Sequence, residues 1–566
     1  MSRFLLVSLN IDAILQETTI HRRRQKLDSM TDGLGLGDAY GATLDRIKGQ
    51  GGEKARLGMT ILMWITYAVR PLKPDELLHA LAVEIGSPDL NSDNIPSIGT
   101  LLACCQGLVV IDKEAPAVRL IHFTLQEYLR ARPQLFGTAH STIAETCLSY
   151  LNSRQVKALS TTTSPNLLSI PFLEYSSLYW GTHAKKDLSN HGKLLALELF
   201  DDYSHHISAK ILLKARARYV CPDDFDKPFL SSGLHCASMF GIDEIVTGFV
   251  EVEECDINQE DCAGNTPLVW AAENGHEGVV KILLGRDDVN PDNSGGNMHT
   301  PLSAAAENGH EGVVKILLGR DDVNPAKPGR LGQTPLCFAV ENGHEGVVKI
   351  LLGRDDVNPD EPGRLRQTPL CFAVENKHEG LVKILLRRDD VNPDKLGRLG
   401  QSPLSFAAWN GYEGVVKMLL GREDVNPERS NHLGQTALCF AAENGHEGVV
   451  KLLLERDDVN PDKPGSSLQT PLCYAAESGY EGVVKILLGR DDINPEKPGS
   501  CGLTPLCWAA ERGHVGVVKL LLERDDVDPN KPDNQGQTPL SLAVERGHVD
   551  VVALLQPLAS TAPSTA

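Results

Sequence analysis

Two kinds of potentially reactive side chain recur through the second half of the chain, one per 34-residue interval. Cysteines share one position of the interval and histidines share another. A cysteine beside a histidine could act as a nucleophile, and either residue type could ligate zinc. The cysteines are Cys337, Cys371, Cys439, Cys473 and Cys507, and the histidines are His276, His310, His344, His378, His446, His514 and His548.

The spacing of these columns argues against both kinds of chemistry. Stacked helices lie roughly 8–10 Å apart, whereas disulfide Cα atoms lie within ~7 Å and zinc–sulfur bonds measure ~2.3 Å. One cysteine per unit therefore cannot reach the next, and no third group marks one thiol as a nucleophile. We interpret both columns as structural, and we expect no enzyme activity, no metal and no cofactor.

Pairs of aspartates form a third recurring feature, as in Asp287-Asp288 and Asp321-Asp322. Calcium requires six to eight oxygens that converge on one point. Each pair follows an arginine, such as Arg286 or Arg320, which partly neutralises it. We therefore predict solvated turns rather than calcium sites.

The elements that position these residues are helix pairs. The triplet Thr-Pro-Leu, or a close variant, starts at Thr266 and returns every 34 residues up to Thr538. Threonine caps a helix well, and proline suits the first helical position. Leu268 and the pair 271–272 then form one apolar stripe, and Asn-Gly ends the helix.

A second helix and an Arg-Asp-Asp-Val-Asn-Pro turn complete each unit. One unit cannot bury its own apolar faces, but a stack can. With a degenerate copy at Ser232, we predict an all-α solenoid of about ten units over 232–558. The last unit ends without a clearly polar cap, and we expect 559–566 to be a disordered tail.

The unit T-P-L-x-x-A-A-x-x-G-H-x-x-V-V-K-x-L-L resembles the ankyrin repeat over about 232–556. The resemblance implies helix pairs joined by projecting fingers, and protein ligands. The histidine that usually follows Thr-Pro-Leu is replaced here by cysteine, serine or valine. We therefore expect the hydrogen bonding at that position to differ.

The first half predicts a winged helix over 55–135. Three helices are followed by two strands that a short turn at 113–116 connects. The expected elements are helices over 59–69, 75–81 and roughly 97–106, and strands over 108–112 and 118–123. The region holds 7 basic and 8 acidic residues, and its third helix carries no basic residue, so we expect a packing module rather than a DNA reader.

The segment 121–129 looks like the end of the winged helix in fungal NACHT proteins, which are NLR-like signalling ATPases. Residues 38–46 are similar to the helix before it, and 171–184 resemble the helical bridge that precedes ankyrin repeats in such proteins. The resemblance implies a NACHT remnant over 1–54 and a bridge over 136–231.

A phosphate-binding loop is the part of that family that the sequence lacks. No G-x-x-x-x-G-K-[ST] motif occurs, and a nucleotide site requires that glycine loop and its lysine. In the family the winged-helix histidine, here His122, can contact nucleotide phosphate. We interpret His122 as a structural relic, in a chain that is either a natural truncation or an incomplete gene.

Composition limits the possible partners. The chain has 566 residues, a net charge of -20 and 41% apolar residues, which is typical of a globular protein. Residues 1–231 hold 25 basic and 24 acidic residues, so the acidic excess lies in the repeats. We therefore expect no nucleic-acid and no anionic-membrane partner.

The cysteine pattern and the absence of a long apolar run favour a cytoplasmic protein. The basic run 21–26 leaves a nuclear location open, although such runs are usually a solvated helix face. Nothing in the sequence sets the oligomeric state.

The candidate site is a surface on the first helix of each unit, on the side expected to be concave. One position is mostly aromatic: Trp270, Ala304, Phe338, Phe372, Phe406, Phe440, Tyr474, Trp508 and Leu542. Another is mostly acidic: Glu273, Glu307, Glu341, Glu375, Trp409, Glu443, Glu477, Glu511 and Glu545. Exposed aromatic rings anchor interfaces and carboxylates steer basic partners. The alternative is that the rings only pack against finger bases.

These patterns predict a non-enzymatic module that binds a basic protein or peptide, in a fungal innate or non-self recognition system. One alternative is a fragment of a nucleotide-dependent signalling ATPase, and another is a scaffold without a defined ligand. The second helices scarcely vary between units, whereas the finger tips 293–297, 327–331 and 429–433 differ. Recognition could be tuned at such tips, and drift of unconstrained loops is the alternative.

Overall fold

The structure is a computed structural model that describes residues 18–31, 36–112, 114–159, 170–216, 232–252, 255–295 and 298–559. Within these ranges it holds thirty-one α-helices and a single two-stranded sheet. This confirms the predicted all-α class. By its internal contacts the chain divides into two compact units, Met1–Asn297 and Met298–Ala566.

The first unit begins with the predicted winged helix. The packing centre includes Ile61, Trp64, Leu101 and Leu125, all buried. The strands β1 and β2 are antiparallel, with Val109 opposite Leu120. The elements are α1 Ile20–Thr31, α2 Leu36–Gly49, α3 Gly52–Tyr67, α4 Pro74–Ala82, α5 Ile98–Cys104, β1 Val109–Asp112, β2 Ala117–Leu120 and α6 Phe123–Arg130.

A helical bridge follows and is packed around aromatic rings. Trp180 and Tyr175 are fully buried, and a Cβ on Gly181 would overlap the ring of Phe240 in the first repeat. This close approach joins the bridge to the repeats. The bridge helices are α7 Ala139–Asn152, α8 Arg154–Lys157, α9 Leu173–Ala184, α10 Asn190–Phe200 and α11 Ile207–Arg216.

Ten helix pairs then follow the 34-residue interval, two in the first unit and eight in the second. The first two are α12 Gly233–Phe240 with α13 Asp243–Val250, and α14 Pro267–Glu273 with α15 Glu277–Leu284. The others are α16 Pro301–Glu307 with α17 Glu311–Leu318, α18 Pro335–Glu341 with α19 Glu345–Leu352, α20 Pro369–Glu375 with α21 Glu379–Leu386, α22 Pro403–Trp409 with α23 Glu413–Leu420, α24 Ala437–Glu443 with α25 Glu447–Leu454, α26 Pro471–Ser478 with α27 Glu481–Leu488, α28 Pro505–Arg512 with α29 Val515–Leu522, and α30 Pro539–Arg546 with α31 Val549–Ala559.

The repeated triplet acts as the sequence predicts. The hydroxyl of Thr300 accepts a hydrogen bond from the N–H of Ser303 at 3.1 Å, and Thr334 does the same for Cys337 at 3.2 Å. At the other end of the repeats, Ala559 still belongs to α31, so the predicted tail starts one residue too early. Its remaining residues, 560–566, lie outside the described residues.

Candidate protein-binding surface

The acidic turns between units are held by arginine. Arg354 donates to both carboxylate oxygens of Asp356, at 2.8 and 2.7 Å, and to the carbonyl of Leu318 at 3.0 Å. The bonds to Arg354 lower the pKa of Asp356. The same Arg–Asp pair, two residues apart, recurs in eight turns: Arg286–Asp288, Arg320–Asp322, Arg354–Asp356, Arg388–Asp390, Arg422–Asp424, Arg456–Asp458, Arg490–Asp492 and Arg524–Asp526.

The histidine column connects neighbouring units. His344 donates from Nε2 to the carbonyl of Glu307 at 2.9 Å, and His446 to that of Trp409 at 2.9 Å. Each acceptor is the last residue of the first helix in the preceding repeat. These side chains are therefore engaged in backbone bonds between repeats.

The cysteine column is buried against the next finger. The thiol of Cys337 donates to the carbonyl of Glu361 at 3.5 Å, and that of Cys473 to the carbonyl of Lys497 at 3.6 Å. Burial raises the pKa of Cys337 to about 11. A thiol with a raised pKa is a poor nucleophile and a poor metal ligand.

His235 shows what the cysteines replace. Its Nε2 donates to the carbonyl of Gln259 at 2.9 Å, and this acceptor lies 24 residues further along the chain. The acceptors of Cys337 and Cys473 lie at the same offset of 24 residues. The donor thus differs from the family pattern, as the sequence predicts, while the acceptor position is kept.

The aromatic column is largely buried, so most of its rings are not available as the exposed partner-binding anchors that the sequence analysis considered. Phe372 is 1% exposed, and Trp270, Phe338, Phe440 and Tyr474 are also buried. The alternative of packing at the finger base fits these five rings, and only Phe406 and Trp508 are half-buried.

The contacts of these rings explain their burial. Trp270 donates from Nε1 to Asp261 at 2.7 Å, and the hydroxyl of Tyr474 donates to the carbonyl of Ser466 at 3.0 Å. Asp261 and Ser466 both belong to the finger that precedes the ring's own helix. A ring at this position packs against that finger. The finger therefore covers the face of the ring that a partner would need to contact.

The acidic positions form a half-buried ladder, here called the Glu ladder: Glu307, Glu341, Glu375, Glu443, Glu477 and Glu511, with Trp409 between Glu375 and Glu443. Glutamine at the finger base donates to several of its members, from Gln435 to Glu443 at 3.1 Å and from Gln469 to Glu477 at 2.8 Å. In the first compact part of the chain, Met1–Asn297, Glu273 is also half-buried.

Arginine neutralises three of these carboxylates. Glu341 pairs with Arg364, Glu477 with Arg512 at 2.6 Å, and Glu511 with Arg546 at 2.6 Å. Within the described residues Glu443 pairs with no arginine, and burial raises its pKa. The ladder carboxylates that no described arginine pairs with include Glu375 and Glu443, the two on either side of Trp409.

Trp409 lies between those two carboxylates in the order of the units, and it is 41% exposed. Its ring is 6.2 Å from that of Phe406 and 6.2 Å from that of Phe440. The helix α22 that carries Trp409 packs between α20 and α24, which carry Glu375 and Glu443. The structure thus brings an exposed aromatic ring and two carboxylates that no described arginine pairs with to neighbouring positions.

His122 caps a helix. Its Nδ1 accepts a hydrogen bond from the N–H of Thr124 at 3.3 Å at the start of α6, and it lies 2.8 Å from the Thr124 hydroxyl. That hydroxyl lies 2.8 Å from the hydroxyl of Tyr40. The contacts give His122 a structural role in connecting α2 to α6.

One surface was missed by the sequence reasoning. Large apolar side chains at the finger tips, among them Leu331, Leu365 and Leu399, are exposed. The sequence did contain a signal for this surface, namely a leucine that recurs in the middle of the finger tip. Leucine is so often buried that its recurrence alone did not indicate exposure.

The described ranges contain no cluster of three or more His, Cys, Asp or Glu side chains placed to hold a metal ion. None of the helices described is both long and apolar enough to cross a membrane.

Comparison with known proteins gives two family matches. The family model described as ankyrin repeats (3 copies) matches six overlapping windows: 205–294, 234–327, 287–361, 353–431, 404–498 and 489–561. The model described as the winged helix domain of GPI inositol-deacylase matches residues 45–136. No curated protein matches the chain. Because the ankyrin windows cover well over half of the 566 residues, the chain belongs to the ankyrin-repeat family.

Proposed function

We propose that the chain is a non-catalytic module that binds a basic protein segment on the concave face of its repeats. The observation that carries this proposal is Trp409, an exposed ring where the other units of the Glu ladder have glutamate. Tryptophan is the residue most enriched among those that dominate interface energies. The buried rings of the column, such as Phe372, serve packing in this proposal.

The chemistry around Trp409 favours a cationic side chain. The face of an indole attracts guanidinium and ammonium groups, and Trp is the strongest of the aromatic acceptors. Glu375 and Glu443 lie one unit away on either side and have no arginine partner within the described residues. An arginine of the partner would stack on the ring and meet one of these carboxylates, and added salt would weaken the contact.

The test uses a fluorescein-labelled nona-arginine peptide and the full chain, with binding measured by fluorescence anisotropy. We expect binding that weakens between 50 and 300 mM salt, and a loss of about tenfold in Trp409→Ala, corresponding to ~1.4 kcal/mol. Glu375→Gln/Glu443→Gln should weaken binding and flatten its salt dependence.

Two controls make the result interpretable. Phe123→Ala removes another exposed aromatic ring, outside the repeats, and should leave binding unchanged. Nona-glutamate should not bind. If Trp409→Ala keeps the wild-type affinity, the proposed surface is wrong and a scaffold without a ligand at this face becomes the better description.

A second candidate is favoured by the winged-helix match at 45–136 ahead of the repeats. In this second proposal the chain is related to fungal NACHT-type signalling proteins, and its repeats capture a ligand in a cytoplasmic or nuclear recognition system. Sequencing the transcript upstream of Met1 tests it. An in-frame G-x-x-x-x-G-K-[ST] there would make this a nucleotide-dependent switch, whereas a stop codon with no such motif would favour capture without a switch.

A further inference from the structure

Six successive fingers of the second unit each expose one large apolar side chain. We call this set the fingertip row: Met298, Leu331, Leu365, Leu399, Leu433 and Leu468. Each is 60–68% exposed. Scattered exposed leucines are ordinary, but a row repeated over six successive fingers forms an apolar patch of the kind that marks interaction sites.

The backbone conformation at these tips does not favour leucine. Leu331 (φ 57°), Leu365 (φ 54°) and Leu399 (φ 58°) occupy the left-handed region, at the first central position of two-residue turns. A hydrogen bond from the N–H of Gln401 to the carbonyl of Arg398, at 3.2 Å, closes one such turn. This turn type favours Asn-Gly, and left-handed backbone is unfavourable for a bulky side chain.

Leucine at these positions therefore destabilises the turn, and the leucine side chain is not buried in return. Leu433 shows that the exposure is independent of the strain, because its finger has no left-handed backbone at that residue and still leaves the side chain 64% exposed. A residue kept exposed against the preference of its own turn indicates a role in binding.

Around Leu365 and Leu399, in the middle of the row, two exposed charges are basic, in a chain whose repeats are strongly acidic. Arg366 and Arg398 flank the leucines and are exposed, and neither forms an ion pair with any residue that the structure describes. A crevice of about 320 Å³ beside these fingers is lined by Arg366, Lys395 and Arg429, with Asp394 as its one acid.

This charge pattern identifies the occupant. If a second copy of the chain bound with its own fingertip row against this one, the arginines of the two copies would face and repel each other. An acidic segment would instead pair with those arginines while its apolar side chains covered the leucines. We propose that the fingertip row binds an acidic segment of a partner protein that carries regularly spaced apolar side chains.

This surface uses different residues from the Glu ladder and calls for a partner segment of opposite charge. The two surfaces meet at Arg364, which precedes Leu365 and pairs with Glu341 of the ladder, so each surface is tested with variants of its own residues. If both hold, the chain has one surface for a basic segment and one for an acidic segment.

The test uses a fluorescein-labelled peptide of four Leu-Glu-Glu triplets, with Ser-Glu-Glu and Leu-Lys-Lys peptides of the same length. We expect the full chain to bind the first peptide at least tenfold more tightly than the other two. Leu365→Gly/Leu399→Gly should weaken this binding at least tenfold while Tm stays the same or rises, because glycine suits the left-handed backbone. Arg366→Gln/Arg398→Gln should weaken binding and reduce its salt dependence.

Matched controls separate this surface from others. Leu194→Ser removes a leucine of similar exposure, 65%, from the bridge and should not change binding. Trp409→Ala should leave the Leu-Glu-Glu affinity intact, and Leu365→Gly/Leu399→Gly should leave nona-arginine binding intact. The proposal is overturned if the glycine variant keeps wild-type affinity, if the three peptides bind alike, or if light scattering shows a dimer that the glycine variant converts to monomer.

Discussion

Single residues explain how this array departs from its family pattern. Gly397 follows Cys371 by 26 residues, and a Cβ added to Gly397 would lie 2.8 Å from the Cys371 sulfur. At the same offset from His235 the chain has Asp261, whose carboxylate accepts the N–H of Asn265 at 2.9 Å. Cysteine with glycine thus replaces histidine with aspartate at these two positions.

We predict that Gly397→Ala destabilises the protein by about 1–3 kcal/mol, because the new methyl group overpacks against the Cys371 sulfur. In a Cys371→Ala background the same change should cost at least ~1 kcal/mol less. Urea unfolding of the four proteins measures this coupling. Cys439→Ala, whose sulfur faces a different finger glycine, Gly465, should show additive effects with Gly397→Ala. Additivity in the Cys371 pair would contradict the contact.

At the scale of elements, the turns bind one unit to the next. Arg422 uses two nitrogens on Asp424 and donates with the third to the carbonyls of Arg388, at 2.8 Å, and Leu386, at 3.3 Å. These carbonyls lie at the end of α21, where a cation also meets the negative end of the helix dipole. One planar side chain therefore connects two second helices.

We expect Arg422→Lys to destabilise the protein by about 1 kcal/mol, because an ammonium group keeps the charge but loses the two-pronged bond and the reach to α21. Thermal unfolding followed by circular dichroism measures it. Arg398→Lys, at an exposed finger tip, is the matched control and should change Tm little. Equal losses in the two variants would show that the bonds of Arg422 to α21 contribute nothing.

At the scale of the whole molecule, the arginine-paired aspartates set the response to acid. Their pKa values are lowered chiefly by the arginine hydrogen bonds, as for Asp390 and Asp424. A lowered folded-state pKa contributes stability above the unfolded value of about 3.9, and that stability is lost as pH falls through the folded pKa. Burial raises the pKa of Asp360, Asp394 and Asp462. These three aspartates therefore change the stability in the opposite direction as the pH falls.

Because eight aspartates are paired in this way, we predict that stability declines as pH falls below about 4. Asp390→Asn/Asp424→Asn should lower the urea midpoint at pH 7, with a difference from wild type that shrinks as pH falls below about 4, because the aspartates are protonated first in the unfolded chain and only at lower pH in the folded protein. Asp355→Asn/Asp389→Asn, at the neighbouring positions outside the arginine pairs, is the control. A wild-type midpoint that rises from pH 5 to pH 3 would contradict the prediction.

The sequence by itself determined the repeat, its helices and its caps, because these depend on local signals such as Thr-Pro-Leu at a constant interval. It also determined that an arginine partly neutralises each Asp pair, since the arginine and the aspartate that it bonds lie two residues apart. The exposure of side chains was decided by tertiary structure. Phe372 and Trp409 both lie on first helices, yet one is covered by a finger and the other is not. Leu399 is a core residue type that the turn places in solvent. In each case the decisive contact, or its absence, involves a finger folded back over the helices, which the local pattern does not describe.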